Sequence, residues 1–486
     1  MNIAYIASEV VPFAKTGGLA DVAGALPIAL SSLNCNVKVF MPKYYSVDEN
    51  KFDLQFLKEF KETSIRAGGF THAVNYYKGY LLNSNVEIYF IDYPNFFHRH
   101  LLYTNDYDED VRFILFSKAV IELIQRLKWK PDVINCNDWQ TGLIPLLIKD
   151  NYSWDTLFHK TKFVFTIHNI GYQGKFSKGS LINAEIEGKY FYPGGPVEFH
   201  NDVNFLKAGI YFSEIINTVS ETYAKELLTK EYGHGMEGIL NQRKDDLFGI
   251  VNGVDYNVWN PENDKFIPYN YSIESLHIKQ QNKEALLKYF NLPYTPDIPV
   301  IGIISRLAIQ KGFDIISEAM SDLIKLNAQY IILGSGEPKY EDMFRSLNYN
   351  FPHKFGTYFG YNNELSHLIE AGSDMFLMPS NYEPCGLNQI YSLKYGTVPI
   401  VRKTGGLADT VHDWHEYSHI GDDSGNGFSF NDYTGYALFT SVKRALYIYQ
   451  NKQLWRKIQI NGMSAEYSWN NAAKKYKKLY KLAMEK

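Results

Sequence analysis

Short apolar runs alternate with stretches whose apolar positions recur at helical spacing along the first half of the chain. The runs lie at 2–8, 37–42, 86–92, 132–137, 162–168, 215–220 and 249–253. Strand and helix signals in turn predict a parallel sheet wrapped by helices. Between about 256 and 299 the pattern weakens, and Pro261, Pro268, Pro293, Pro296 and Pro299 mark a junction. A second series of strand signals follows at 300–305, 329–336, 357–361, 375–380 and 398–402. The last stretch, from about 455 to 486, reads as one or two helices with Lys474, Lys475, Lys477, Lys478 and Lys481 on a solvated face. The expectation is two doubly wound domains. Their ligand is expected at the carboxyl ends of the strands, in the cleft between the domains, which close around it.

One repeat changes this picture. Lys-Thr-Gly-Gly-Leu-Ala-Asp occurs at 15–21 and again at 403–409, each time between a strand signal and a helix signal. Paired glycines let backbone amides approach an anion, the helix start supplies partial positive charge and the lysine a full one. Two such turns, one per domain, point to one anionic ligand.

Composition narrows the class. At 486 residues, with 45% hydrophobic and 21% charged residues, the chain is a globular protein of two or three domains. A net charge of −4, with no basic stripe, argues against nucleic acid or a membrane surface as partner. Cys35, Cys136 and Cys385 have no metal-ligand spacing and leave one thiol unpaired, which fits a reducing compartment. The chain opens directly in a strand signal and has no apolar run of membrane length. The expected location is the cytoplasm, or a plastid if a transit peptide was removed ahead of this numbering. The 38 tyrosines suit sugar surfaces, but equally suit half-buried packing.

Further candidates stand at predicted strand ends. Arg306 and Lys311, in Ser305-Arg306-Leu307 and Gln310-Lys311-Gly312, offer a guanidinium fork and an ammonium suited to a diphosphate. Gly334-Ser335-Gly336 starts like a dinucleotide fingerprint but lacks its third glycine, where Lys339 stands; this rejects a nicotinamide or flavin site and leaves a close nucleotide approach. Glu383, before Pro384-Cys385-Gly386-Leu387, offers a carboxylate for sugar hydroxyls or for the start of a helix. In the first half, His168 and Asp138 end strand signals and point toward the cleft. Neither a Gly-x-Ser-x-Gly elbow nor a Walker lysine loop occurs. His412, His415 and His419 read as a surface turn rather than a zinc site.

Taken together, the motifs resemble bacterial glycogen synthases and plant starch synthases, glucosyltransferases of the GT-B architecture with two Rossmann-like domains. The resemblance runs nearly end to end. It rests on Ser8-Glu9 with the first heptapeptide, Asn137-Asp138-Trp139, Phe165-Thr166-Ile167-His168-Asn169 and Asn204-Phe205-Leu206-Lys207-Ala208-Gly209. It continues through Asn252-Gly253-Val254-Asp255, the arginine and lysine motifs, Glu383-Pro384-Cys385-Gly386-Leu387 and the second heptapeptide. It implies an N-terminal acceptor-side domain at 1–255, a nucleotide-sugar domain at 256–465 and a C-terminal helix at 466–486 packing back on the first domain.

The implied reaction moves glucose from ADP-glucose to the non-reducing 4-hydroxyl of an α-1,4-glucan with retention. Lys15 with Gly17 and Gly18, and Arg306 with Lys311, are then expected at the donor diphosphate. Glu383 is expected at the glucose hydroxyls, His168 beside the reacting carbon and Tyr361 against the adenine. Asn252, Gly334, Cys385, Gly386, Leu387, Thr404, Gly405 and Gly406 complete the expected donor set. Asp21 and Asp138 fall on the sugar and acceptor side.

Cations in place of a metal imply metal-independent transfer with no cofactor. No carboxylate nucleophile is evident, as double displacement would require; the family expectation is front-face attack. Two departures stand out. Asn137 and Gln140 replace the two histidines that flank Asp-Trp in many bacterial members, and Tyr391 stands where many GT-B enzymes carry a second glutamate. Kept open are UDP-glucose as donor and a non-catalytic glucan-binding homologue, which would be expected to lose the donor-site cations. The oligomeric state is not legible in the sequence.

Overall fold

The computed structural model describes residues 1–486. Its contacts divide the chain into two units. The first comprises Met1–Val219, Ala224–Gly253 and Trp469–Lys486; the second comprises Ser220–Tyr223 and Val254–Ser468. The junctions expected at 255/256 and 465/466 thus lie at 253/254 and 468/469, and four residues near 220 group with the second unit.

A ten-stranded sheet forms the spine of the first unit. Seven parallel strands run in the spatial order Leu247–Gly249, Ile215–Thr218, Lys162–Ile167, Val133–Asn137, Asn2–Ile6, Asn36–Pro42 and Glu87–Asp92. Beyond Glu87–Asp92 the sheet turns antiparallel through Phe70–Tyr80, which also pairs with Thr63–Ala67 and Gln55–Phe56. These antiparallel strands, and a small sheet of Lys175–Phe176, Glu198–Phe199 and Asp202–Asn204, add to the seven strands that the apolar pattern predicts. Their alternation of exposed and buried positions is that of a sheet wetted on one face. The strand order reverses direction beside Asn2–Ile6, which pairs with Val133–Asn137 on one side and Asn36–Pro42 on the other. Ligand crevices form at such switch points in open α/β sheets.

Helix Trp469–Glu485 belongs to this unit. It buries Trp469, Ala472, Ala473, Tyr476, Leu479, Tyr480 and Ala483 and leaves Lys474, Lys475, Lys478 and Lys481 exposed. Tyr480 Oη donates to Asn135 Oδ1 at 2.6 Å, and Asn217 Nδ2 donates to Tyr476 Oη at 3.0 Å. Both asparagines lie inside buried strands, so the helix supplies hydrogen bonds that the sheet cannot.

The second unit has a six-stranded parallel sheet. Its order is Phe355–Tyr358, Gln329–Leu333, Val300–Ile304, Met375–Met378, Val398–Arg402 and Phe428–Phe430. Numbered from its first strand this is 3-2-1-4-5-6, the Rossmann order, with the switch between Val300–Ile304 and Met375–Met378. Apolar clusters cover both faces of the sheet. One packs Phe313, Ile316, Leu438 and Val442; the other packs Leu286, Leu287, Leu365 and Ile369.

Candidate active site

In the first unit the candidates gather at the carboxyl ends of four strands. The chain leaves Asn2–Ile6 through Ser8 and Glu9 and reaches the first heptapeptide, whose last residues open the helix Gly18–Ser32. Lys15 lies half exposed, with Nζ 2.7 Å from Asp21 Oδ1. Thr16 and Gly17 turn their amides onto the carboxylate of Glu9, the second at 3.1 Å. Apart from its chain neighbours and the backbone of its own helix, nothing comes within 4 Å of the Cβ position of Gly18, so the loop is open there.

Asp138 and His168 follow the next two strands. Asp138 adopts φ 55° and ψ −178°, a region that residues other than glycine hold only when the surroundings enforce it. Its Oδ1 accepts from the His168 amide at 2.7 Å. Burial pushes the Asp138 carboxyl up to about 7; the amides of His168 and Asn169 oppose the rise, and the nearby Glu9 charge adds to it.

Burial alone lowers His168 to about 3, so the imidazole is neutral at physiological pH. His168 Nε2 is 2.9 Å from Asn137 Oδ1. Asn137 Nδ2 donates to the Ile6 carbonyl and Tyr5 Oη donates to Asn137 Oδ1, so Oδ1 is an acceptor and the His168 proton sits on Nε2. Nδ1 is left as an acceptor, and the ring is no general acid. Asn252, after Leu247–Gly249, is buried and its Oδ1 has no hydrogen-bond partner.

In the second unit the candidates follow five adjacent strands. Exposed Arg306 follows Val300–Ile304 and donates to Gln310 Oε1 at 3.3 Å. Lys311 Nζ reaches Glu383 Oε2 at 2.6 Å, and Ser380 Oγ donates to the same oxygen at 3.0 Å. A buried carboxylate beyond Met375–Met378 thereby holds the ammonium beyond Val300–Ile304, across the switch point. Gly334 passes the Ser305 carbonyl so closely that a Cβ would lie 1.8 Å from its oxygen. That close approach explains the glycine without a nucleotide. Tyr361, beyond Phe355–Tyr358, is 85% exposed. Tyr391 stacks on Trp259 with ring centroids 3.9 Å apart, and Trp259 stacks in turn on His367.

The second heptapeptide is used differently from the first. Lys403 pairs with Glu416 at 2.7 Å, and Asp409 accepts from the amide and hydroxyl of Thr222. A Cβ on Gly405 would lie 2.0 Å from the Glu383 carbonyl oxygen, and one on Gly406 would lie 2.1 Å from that of Cys385. The Gly406 amide donates to the carbonyls of Glu383 and Pro384. These glycines seat the 404–406 turn against the segment that carries Glu383. Buried Cys385 and the Gly386 carbonyl are fixed in turn by Gln389, whose Nε2 donates to both backbones. Leu387 precedes the helix Asn388–Lys394.

Residues 2–242 match the family model described as starch synthase catalytic domain, and residues 290–446 match that of glycosyl transferases group 1. The chain is 45% identical to a glycogen synthase of Koribacter versatilis and 43% identical to one of Thermosipho africanus, covering all of this chain and 99% and 100% of those proteins. It belongs to the glycogen and starch synthase family. A solved structure described as the catalytic domain of starch synthase IV from Arabidopsis thaliana bound to ADP and acarbose superposes with a TM-score of 0.89 at 33% identity, over 100% of this chain and 99% of that one. A sucrose-phosphate synthase from Thermosynechococcus elongatus, 16% identical at a TM-score of 0.60, shares the fold. This glycogen and starch synthase family member is thus a glucosyltransferase with the two Rossmann-like units of GT-B proteins. None of its helices is long and apolar enough to cross a membrane.

Sequence reasoning passed over Glu9 as a partner of the first loop, Ser380 as a partner of Glu383 and Asn137 as the holder of His168. Glu9 and Asn137 stand inside motifs read for their neighbours. Spacing alone does not say that a carboxylate folds back onto amides seven residues on.

Proposed function

We propose that the chain elongates an α-1,4-glucan by moving glucose from ADP-glucose to its non-reducing 4-hydroxyl, with retention and without a metal. The observation that carries this reading is the set of cations at strand carboxyl ends: Lys15 in the first unit, Arg306 and Lys311 in the second. A departing nucleoside diphosphate needs such charge, fixed in advance, to offset the negative charge it develops. Relatives named glycogen synthase, and a starch synthase structure with bound ADP, support the choice of glucan and nucleotide.

In this reading the bond from glucose C1 to the β-phosphate oxygen breaks, and ADP leaves with the electron pair. The acceptor O4 bonds to C1 on the same face, and its proton passes to the leaving phosphate oxygen. Lys311 keeps one donor on Glu383 and offers its others to phosphate. Glu383, tied through Oε2, is left to accept from glucose hydroxyls with Oε1. His168 offers the Nδ1 lone pair to a hydroxyl and moves no proton. Asn252 Oδ1, buried without a partner, is a further hydroxyl acceptor. Tyr361 offers its exposed face to the base.

The test is incorporation of labelled glucose into glycogen from ADP-glucose and from UDP-glucose, each with a chelator present and with Arg306→Ala assayed alongside. Full transfer from ADP-glucose under chelation is expected, little from UDP-glucose, and a loss of about 100-fold or more in the variant. Preference for UDP-glucose, loss of activity under chelation or a fully active variant would each refute the corresponding part.

A further inference from the structure

Glu9 is a buried carboxylate, 4% exposed, in the turn just beyond the first strand of the first unit. Its oxygens accept from the Thr16 amide, from the Gly17 amide at 3.1 Å and from Thr16 Oγ1 at 3.1 and 3.2 Å. Tyr103 Oη, itself 2.7 Å from Ser8 Oγ, donates to Glu9 Oε1 at 3.3 Å. Two successive amides just after Lys15 and two hydroxyls therefore converge on one side chain. The Thr16 and Gly17 amides are already satisfied within the chain, whereas Lys15, paired with Asp21, is half exposed and Gly18 is open.

We infer that Glu9 is the positioning residue of the Lys15 loop. It fixes the backbone of Thr16 and Gly17, so that the first unit meets the donor diphosphate through the Lys15 ammonium rather than through a nest of amides. The physical reason is geometric. Lysine is a point charge on a flexible stem, and its value to a transition state depends on how firmly its backbone is held. A carboxylate accepts from several donors at once and fixes the two residues that follow the lysine. Glutamine in its place keeps one oxygen for the Thr16 and Gly17 amides, but it loses the charge that strengthens those bonds and turns an NH₂ group toward the hydroxyls of Thr16 and Tyr103, which must give up their donation.

The inference rests on the proposed role of Lys15 at the diphosphate, and a double-mutant cycle separates the two. Glu9→Gln, Lys15→Ala and the double variant are assayed with ADP-glucose and glycogen. Glu9→Gln is expected to lower kcat by about 100-fold, with the KM for glycogen little changed, because a misplaced charge is felt mainly in the transition state. In the Lys15→Ala background the same change is expected to cost less than about 3-fold, the mark of residues that act as a unit.

A fully active Lys15→Ala would refute the role of the lysine itself. A large loss in Lys15→Ala with an undiminished further loss from Glu9→Gln would refute the positioning role alone. If Glu9→Gln does not fold, Thr16→Val and Tyr103→Phe each remove one hydroxyl from the carboxylate and carry the same cycle. A smaller loss that vanishes without Lys15 supports the inference, and a loss that persists overturns it.

Discussion

Asp138 bears two burdens at once: a backbone conformation suited to glycine and a carboxyl held near neutrality. Either alone is uncommon, and both at the end of a strand beside His168 mark a residue kept for function. Burial, its largest cause, favours the protonated form, as does the Glu9 charge; the amides of His168 and Asn169 favour the ionised form. If the ionised form receives the sugar hydroxyls, kcat/KM rises with pH through about 7 in the wild type. Asp138→Asn matches the carboxyl in shape, keeps an oxygen for the His168 amide and cannot ionise. Its pH–rate profile is expected to lose that inflection; a profile with the inflection intact would assign it to another group. At this scale the sequence names Asp138 and His168 as polar residues at strand ends. It does not foretell that His168 is neutral, because that follows from burial among residues distant in the chain.

The elements were the most legible level, for a physical reason. A strand buried on both faces needs a mainly apolar run, and all twelve such runs overlap a strand, although 249–253 meets Leu247–Gly249 only at Gly249 and 357–361 meets Phe355–Tyr358 only at Thr357 and Tyr358. Phe428–Phe430, only three residues long, and the half-exposed antiparallel strands carry a weaker local signal. Helix Asn363–Gly372 shows what period cannot reveal. It buries Glu370 completely; Ser392 Oγ donates to Oε2 at 2.7 Å, and Oε1 has no partner. Burial pushes this carboxyl up to about 8. A folded-state pKa above the unfolded value means that the folded chain holds an extra proton between the ordinary glutamate value of 4.5 and about 8. Stability is therefore lost as pH rises through that window. Glu370→Gln mimics the protonated form and lacks the slope. Thermal melts are expected to show the variant gaining on the wild type as pH rises from about 5 to about 8, with no further gain above. A gap independent of pH would place the ionisation elsewhere.

At the scale of the whole molecule, two series of strands separated by a proline-rich stretch already imply two sheets. The return of Trp469–Glu485 to the first unit is invisible to local pattern, since an amphipathic helix does not say which face it will cover. What decides it is the complement of that face: the Asn135 amide group, whose Nδ2 is spent on Thr166 Oγ1 and whose Oδ1 needs the Tyr480 hydroxyl. Each unit has its own core, and units of this kind melt as separate transitions when their cores are independent. Calorimetry then assigns each part of the chain to its melt. Tyr480→Phe leaves a buried acceptor unpaired, at a cost of about 1–3 kcal/mol, and is expected to lower one transition only. Glu370→Gln above about pH 8 is expected to raise the other only. If either variant moves both transitions together, the two units unfold as one cooperative body and the division of the chain at 253/254 and 468/469 has no energetic counterpart.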